Sequence, residues 1–451
     1  MLAPDCAHVN HGRLPQEMYD EIISFLQDDP ITLRSCALTH RSLLFASQKH
    51  IFNSLILDTG LGKPVGSDEA RFKYFFIAPN QLRSILQRSQ YIGAYVRNLR
   101  ITTNLTCLMQ SREWEIGLTD KEMEQTHVES LTFCLQQFRY LECLSVRPAL
   151  PEENYKLAWK NPEFLQAVQN LVSLPSLRCF DHCSPMDLAY NLKNHIEYLS
   201  MYAETGPNLS TSATPQTNRR CSVDFLQIWH NDIYGSTVLN PHLQEFLDIG
   251  NLKGLCIRSG HDRHLSADVD YLLRACEKSL LHLILESTTF LSDFDADGLN
   301  FTFKNLHALH TFHVRLQGEM GRRLPMLVTL LSTIPAGQEN MLEELVVQIK
   351  CDYFQLSRDF HPEPWDNLWT LVTNSTHFPR LTKLYLRVFY SMGFVEDPSN
   401  LAGKTYLLSK WHLPPDSRIS LSVDVQEQVN PFGPFHLFWP SDRVHHLVRL
   451  F

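Results

Sequence analysis

The chain has 451 residues, which is more than the ~100–200 residues that one ordinary domain uses. Hydrophobic residues make up 44% and charged residues 20%, so the chain can bury a large core, as soluble globular proteins do. The net charge of −9 gives no electrostatic reason to bind nucleic acid or an acidic membrane surface.

The chain begins with a short segment that we expect to be a flexible N-terminus, residues 1–12. It lacks the basic n-region and the apolar h-region of a secretory signal. The first predicted helix follows over residues 15–26, where Pro15 suits a first turn that needs no amide donor. Its apolar residues recur at helical spacing and form one stripe: Met18, Ile22, Phe25 and Leu26.

A second and a third helix are predicted directly afterwards. Asp29 can cap the second helix and Pro30 can open it. The third helix begins near Arg41. The apolar residues of the two helices are Leu33, Cys36, Ala37 and Leu38, then Leu43, Leu44, Phe45 and Ala46. Three such short helices bury too little surface to be stable alone, so the module needs a neighbour or a partner. One interpretation is a helical cap on the repeats that follow.

The residues of this module resemble an F-box over residues 13–55. The resemblance is carried by Leu14-Pro15 at the start, by Asp28-Asp29-Pro30 before the second helix, and by the run TLRSCALTHRS at residues 32–42. Many family members have Trp after the Arg-Ser pair, whereas this chain has Leu43-Leu44.

The F-box resemblance implies a partner. Family members dock the F-box onto the small Skp-type adaptor of a cullin–RING ubiquitin ligase, and they hold a target protein with their C-terminal region. The resemblance assigns the docking surface to seven residues, namely Leu14, Pro15, Ile22, Leu26, Leu33, Cys36 and Leu38.

Residues 56–451 contain a degenerate repeat of the form apolar-x-x-apolar-x-apolar, which begins just before them at Phe52. The repeat starts at residues 52, 96, 141, 196, 223, 252, 280, 309, 342 and 381, with a weaker copy at Leu177/Phe180. From residue 196 to residue 309 the starts lie 27 to 29 residues apart. This spacing is at the upper end for leucine-rich repeats.

The alternating half of each repeat predicts a short strand with one buried face. Helical patterns lie between strands at residues 161–172, 269–276 and 365–372. The pattern resembles the irregular leucine-rich-repeat regions often paired with F-boxes, although no Asn or Cys recurs after the strand. The expected fold is α/β, with a three-helix F-box-like module followed by an irregular leucine-rich-repeat-like solenoid. The alternative is an ordinary α/β domain with a parallel sheet.

Two segments depart from the repeat. The polar residues 205–220 predict a disordered insertion. Near the C-terminus, residues 419–425 alternate as a strand, and an aromatic run follows with Phe432, Phe435, Phe438 and Trp439. We interpret that run as a cap over the last repeat, and the alternative is an aromatic patch for a ligand.

Motifs for chemistry are incomplete in this sequence. Asp293, Asp295 and Asp297 resemble the start of a calcium loop, but Lys304 stands where the bidentate carboxylate belongs. Cys179, His182 and Cys183 lack a second pair of zinc ligands, as do Cys6, His8 and His11. Gly60–Pro64 lacks the first glycine and the hydroxyl of a phosphate loop. We therefore expect no catalytic, metal or cofactor site.

The eleven cysteines and the absence of a long apolar run indicate a reducing compartment, the cytoplasm or the nucleus, and no membrane span. The leading hypothesis is a non-catalytic adaptor that binds a Skp-type adaptor of the cullin ligase core and an unidentified target protein. The alternatives are a repeat scaffold without a ligase role and an enzyme without recognisable motifs.

Overall fold

The computed structural model describes most of the predicted elements. The described residues are 14–27, 29–58, 75–103, 120–148, 161–182, 188, 191–203, 220–230, 243, 246–259, 265–287, 301–317, 320–351, 362–390, 409 and 418–427. The predicted flexible N-terminus, most of the predicted insertion at 205–220 and the aromatic C-terminal run lie outside these residues.

The described chain is an α/β protein whose strand pairs are all parallel. The α/β class expected from the sequence is therefore confirmed. The chain divides into two compact units, Met1–Leu177 and Arg178–Phe451. The predicted helical module is part of the first unit. Among the described residues, no helix has the length and apolar character that crossing a membrane requires.

The first unit opens with three short helices close to the predicted positions. They are α1 at Gln16–Ser24, α2 at Pro30–Thr39 and α3 at Arg41–Ile51. Asp29 caps α2, because its Oδ1 accepts hydrogen bonds from the backbone N–H groups of Ile31 and Thr32 at 3.1 and 3.0 Å. Its Oδ2 accepts one from the Thr32 hydroxyl at 2.6 Å.

A small apolar core holds the three helices together. Ile23 from α1, Leu33 from α2 and Ala46 from α3 are buried at its centre. Half-buried apolar side chains surround them: Leu26, Cys36, Leu43 and Ile51. The apolar stripes of the helices are thus only partly used within the module.

The rest of the first unit alternates strands and helices. In chain order these are β1 Ser54–Asp58, β2 Phe75–Ile77, α4 Pro79–Arg88, a short 3-10 helix Gln90–Ala94, β3 Asn98–Thr103, α5 Asp120–Gln137, β4 Cys143–Pro148 and α6 Pro162–Val172. Within the unit the strands are ordered β2-β1-β3-β4. Asn161 caps α6 through its side-chain oxygen, which accepts the Glu163 and Phe164 amides at 3.0 Å each.

The second unit contains ten described strands. They are β5 Cys179–His182, β6 Ile196–Ala203, β7 Cys221–His230, β8 Leu247–Asp248, β9 Gly254–Ser259, β10 His282–Ser287, β11 Thr311–Gln317, β12 Glu344–Cys351, β13 Lys383–Tyr390 and β14 Ser420–Glu427. Its helices are α7 Leu265–Ala275, α8 Met320–Ser332 and α9 Pro362–Thr373, and a short 3-10 turn spans Gly337–Glu339.

Strands that follow one another in the second unit are also neighbours in space. The order is β5-β6-β7-β9-β10-β11-β12-β13-β14, with the short β8 paired to β7. In the repeats that start at residues 223 to 381, the second apolar residue meets its counterpart on the next strand, so the repeat and the register coincide there. The aligned residues are Leu226, Leu255, Leu283, Phe312, Leu345 and Leu384. All six are buried.

The starts of the strands are joined by a recurring main-chain pattern. One carbonyl accepts two successive amide N–H groups of the next strand, as when Leu281 receives His310 and Thr311 at 2.9 and 3.0 Å. The same pattern occurs at Asn53, Arg97, Arg178, Lys253, His310 and Glu343. The chain therefore repeats its hydrogen bonding at this edge without the side-chain Asn or Cys of a regular repeat.

Candidate functional site

The helical module exposes an apolar surface. Nine large hydrophobic side chains are exposed among the described residues, and seven of them lie between Leu14 and Phe45. We call the part on α1, α2 and their flanking residues the apolar face: Leu14, Met18, Ile22, Phe25, Ile31 and Leu38. Phe25 is 81% exposed and Leu38 is 89% exposed. Exposed apolar side chains concentrated in this way are typical of an interaction surface.

The residues assigned to docking divide between this face and the core of the module. Leu14, Pro15, Ile22 and Leu38 are exposed. Leu33 is 1% exposed and lies in the core, and Leu26 and Cys36 are half-buried against it. Leu33 therefore supports the module from inside, because its position on the inner side of α2 leaves almost no surface to a partner.

The module is attached to the remainder of the first unit through α3. The Phe45 and Tyr91 rings lie 5.9 Å apart, and the Tyr91 hydroxyl donates to Gln48 Oε1 at 3.2 Å. Ala46 and Ser47 of α3 are buried. These contacts come from α3, whereas the apolar face lies on α1, α2 and their flanking residues.

A second surface lies on the sheet of the second unit. Five residues on adjacent strands stand opposite one another in register, and we call them the arginine row: Arg258, Glu286, Arg315, Gln348 and Arg387. Because side chains alternate along a strand, all five point to the face opposite the buried leucines. Asp424 stands opposite Arg387 at the end of the row.

Aromatic side chains continue the row at its other end. The Arg258 guanidinium lies over the Trp229 ring, 4.1 Å from its centroid, which is a cation–π contact. Trp229 Nε1 donates to the Ser200 hydroxyl at 3.2 Å, and the Tyr198 hydroxyl donates to Gln227 Oε1 at 2.8 Å. A connected polar and aromatic band thus crosses the strands from β6 to β13.

The charged side chains of the row are partly excluded from solvent. Glu286 is 8% exposed, and its Oε2 lies 2.8 Å from Arg258 Nε. The two atoms form an ion pair without the alignment of a hydrogen bond, and Glu286 Oε1 has no hydrogen-bond partner among the described residues. Burial lowers the pKa of Arg315, which the nearby Glu286 carboxylate opposes and Arg258 reinforces.

His313 lies on the same face of the sheet, two residues before Arg315 in β11. It is 0% exposed, and neither ring nitrogen has a hydrogen bond of normal geometry within the described structure. Burial lowers the pKa of His313 to about 3, and the three guanidinium groups of the row add to this shift. Gln348 lies beside the ring and opposes the shift. His313 is therefore a neutral imidazole beneath a cationic row.

The sequence contains a signal for this row in addition to the apolar repeat. Each row residue directly follows the last apolar residue of its repeat, as Arg258 follows Ile257 and Arg315 follows Val314. Reading that one position across successive repeats gives Arg, Glu, Arg, Gln and Arg. Alternation places these residues on the face opposite the core, so the row could have been predicted once the strands were aligned.

The incomplete metal motifs gain no support from the geometry. Cys179 is buried in β5, whereas Cys183, the acidic turn near Asp293 and the glycines near residue 60 lie outside the described residues. Within the described parts of the chain, no group of three or more His, Cys, Asp or Glu side chains is placed to hold a metal ion.

No protein-family model matches this sequence, and no curated protein matches it either. Two surfaces of the described chain therefore bear on its function. One is the apolar face of the helical module, and the other is the arginine row on the second unit.

Proposed function

We propose that the chain is a substrate-recognition adaptor of a cullin–RING ubiquitin ligase. The helical module acts as an F-box that binds a Skp-type adaptor, and the second unit acts as a leucine-rich-repeat-like array that holds a target protein. The observation that carries this proposal is the apolar face, because it gives the module something to bury against a partner.

The three helices bury few apolar side chains among themselves and expose several others, which supports this function. The internal core is small, since only Ile23, Leu33 and Ala46 are fully enclosed. The exposed apolar side chains on α1, α2 and their flanking residues exceed what the module needs for its own cohesion. Burying them against a partner gains roughly 25 cal/mol for each Å² removed from water.

The second unit supports the array because each strand pairs with its successor in the chain. Strands β9 to β14 keep one register of large apolar residues, and the starts of β10 to β13 share one pattern of strand-start carbonyls. Stacked units of this kind leave one strand face for recognition along the whole array. The arginine row lies on that face.

The mechanism needs no bond chemistry from this chain. An adaptor that holds a target beside a ligase raises the effective concentration of the target at the ubiquitin carrier. The rate of ubiquitin transfer to the target then depends on the affinity of each surface and on the geometry between the two bound partners. Acidic or basic catalytic groups are not required of the adaptor itself.

Calorimetric titration of the full-length chain with a purified Skp-type adaptor tests the proposal. The variant Ile31→Asp/Leu38→Asp places charges on the apolar face at two exposed sites, so the module should still fold. We expect saturable 1:1 binding for the wild-type chain and a loss of roughly a thousandfold in affinity for the variant, because each of the two anchors is worth about 2 kcal/mol or more.

Tyr140→Ser is the matched control, since Tyr140 is an exposed aromatic residue of the same unit outside the helical module. It should bind like the wild-type chain. A folded wild-type chain that fails to bind would contradict the ligase role and favour a repeat scaffold. Equal binding by the double variant would show that the apolar face is not the docking surface.

A further inference from the structure

Among the described residues, the arginine row carries more positive than negative charge. Three guanidinium groups stand against two carboxylates, those of Glu286 and Asp424. Guanidinium groups carry several N–H donors and no acceptor, and they match the two oxygens of a carboxylate or phosphate. His313 adds no charge, because it is a neutral imidazole.

The same stretch contains polar atoms that the described chain leaves unsatisfied. Neither ring nitrogen of His313 has a hydrogen bond of normal geometry, although the Gln348 side chain lies beside the ring, and Oε1 of Glu286 is buried without a hydrogen-bond partner among the described residues. Such groups cost folding free energy and are uncommon in a settled core. These atoms have almost no accessible surface, so the half-buried guanidinium groups above them are what a ligand can reach.

We infer that the arginine row binds an oxyanion, a carboxylate or a phosphate, carried by an extended segment of a polypeptide. Arg315 and Arg387 hold the oxyanion, and the buried Gln348 lies between them in the strand register. Trp229, stacked against Arg258, provides an apolar surface for a neighbouring side chain. This inference rests on the proposed function only in taking the ligand to be a target protein.

The dimensions of the row suit such a segment. Five adjacent strands span roughly 19 Å at ~4.8 Å per strand spacing. An extended chain of about six residues covers that distance at ~3.3 Å per residue. One acidic side chain near the middle of the segment can then lie over Arg315.

Fluorescence anisotropy with three labelled peptides tests the inference on the full-length chain without any ligase component. Each peptide is a Gly/Ser sequence of about ten residues, enough to span the row, with a central phosphoserine, glutamate or serine. We expect the phosphoserine or the glutamate peptide to bind at least tenfold more tightly than the serine peptide, the approximate effect of one charge-assisted pair. The tighter of the two identifies the source of the oxyanion.

Arg315→Gln should abolish that preference, and Arg387→Gln is a second variant in the same row. Arg178→Gln is the matched control, because it removes an exposed arginine of the same unit that pairs with Glu197 at 3.4 Å, outside the row. Equal binding of the three peptides by the wild-type chain, or a preference that survives in both row variants, would overturn the inference. A failure of Skp-type binding would leave this result standing, so the two proposals fail separately.

Discussion

At the scale of single residues, buried histidines determine how the stability of the fold responds to acid. Burial lowers the pKa of His127 and of His282 to about 4 and that of His313 to about 3. Each folded-state value lies below the ordinary 6.5, so the unfolded chain takes up the proton first as the pH falls. The stability contributed by these neutral rings is therefore complete above about pH 6.5 and is lost below it.

His313→Leu should flatten the dependence of stability on pH. Proton uptake by this one histidine in the unfolded chain costs at most about 2 kcal/mol between about pH 7 and pH 5. The leucine variant should also be as stable as the wild-type chain or more stable near neutral pH, since two unpartnered nitrogens leave the core.

Thermal melts across that pH range measure the effect, and His307→Gln, which removes an exposed imidazole of the same unit, is the control. A His313→Leu profile as steep as the wild-type profile would show that burial of this ring does not govern acid stability.

Secondary structure elements followed from the sequence where local signals were strong. Asp29 before Pro30 and Asn161 before Pro162 predicted two helix starts that the structure confirms. The repeat predicted β1 and the strands from β3 to β13 apart from the short β8, and residues 419–425 predicted β14. Helices α4, α5 and α8 were not predicted. In α8 an internal Pro325 obscures the helical pattern, and tertiary packing outweighs such local preferences.

The candidate sites were predictable to different degrees. The apolar stripe of α1 was visible as helical spacing, but the sequence could not tell which residues of α2 face inward, so Leu33 was assigned to docking although it lies in the core. The arginine row depends on contacts between residues about thirty positions apart in sequence. Such a row becomes visible only when the register is known.

Removing the cap of α6 tests the helix-start argument at the scale of an element. Asn161→Ala leaves the Glu163 and Phe164 amides without their acceptor and should lower the free energy of unfolding by roughly 1 kcal/mol. Asn170→Ala, at an exposed site of the same helix, is the control and should change stability little, because alanine favours helix. Chemical denaturation measures both, and equal losses would contradict the capping role.

Thiol chemistry reports on the packing of the whole molecule. Six of the seven cysteines whose burial is described are buried, and burial raises the pKa of Cys134, Cys221, Cys256 and Cys276 to about 12. Buried neutral thiols react poorly with disulfide reagents. The native chain should therefore gain at least six reactive thiols on unfolding in guanidinium. Rapid reaction of all eleven thiols in the native state would contradict this packing.

At the scale of the whole molecule, we propose one partner for each of two surfaces: a Skp-type adaptor for the apolar face, and a target protein for the strand face with the arginine row. Each surface lies in its own compact unit, so each can be altered by substitution without touching the other.

Amide hydrogen exchange of the full-length chain, with and without a purified Skp-type adaptor, shows whether the helical module binds the adaptor through its apolar face. Such binding should slow exchange in α1 and α2, residues 16–39, and leave strands β9 to β13 unchanged. Unchanged exchange in those two helices at saturating adaptor, or protection confined to the second unit, would rule out the apolar face as the adaptor-binding surface.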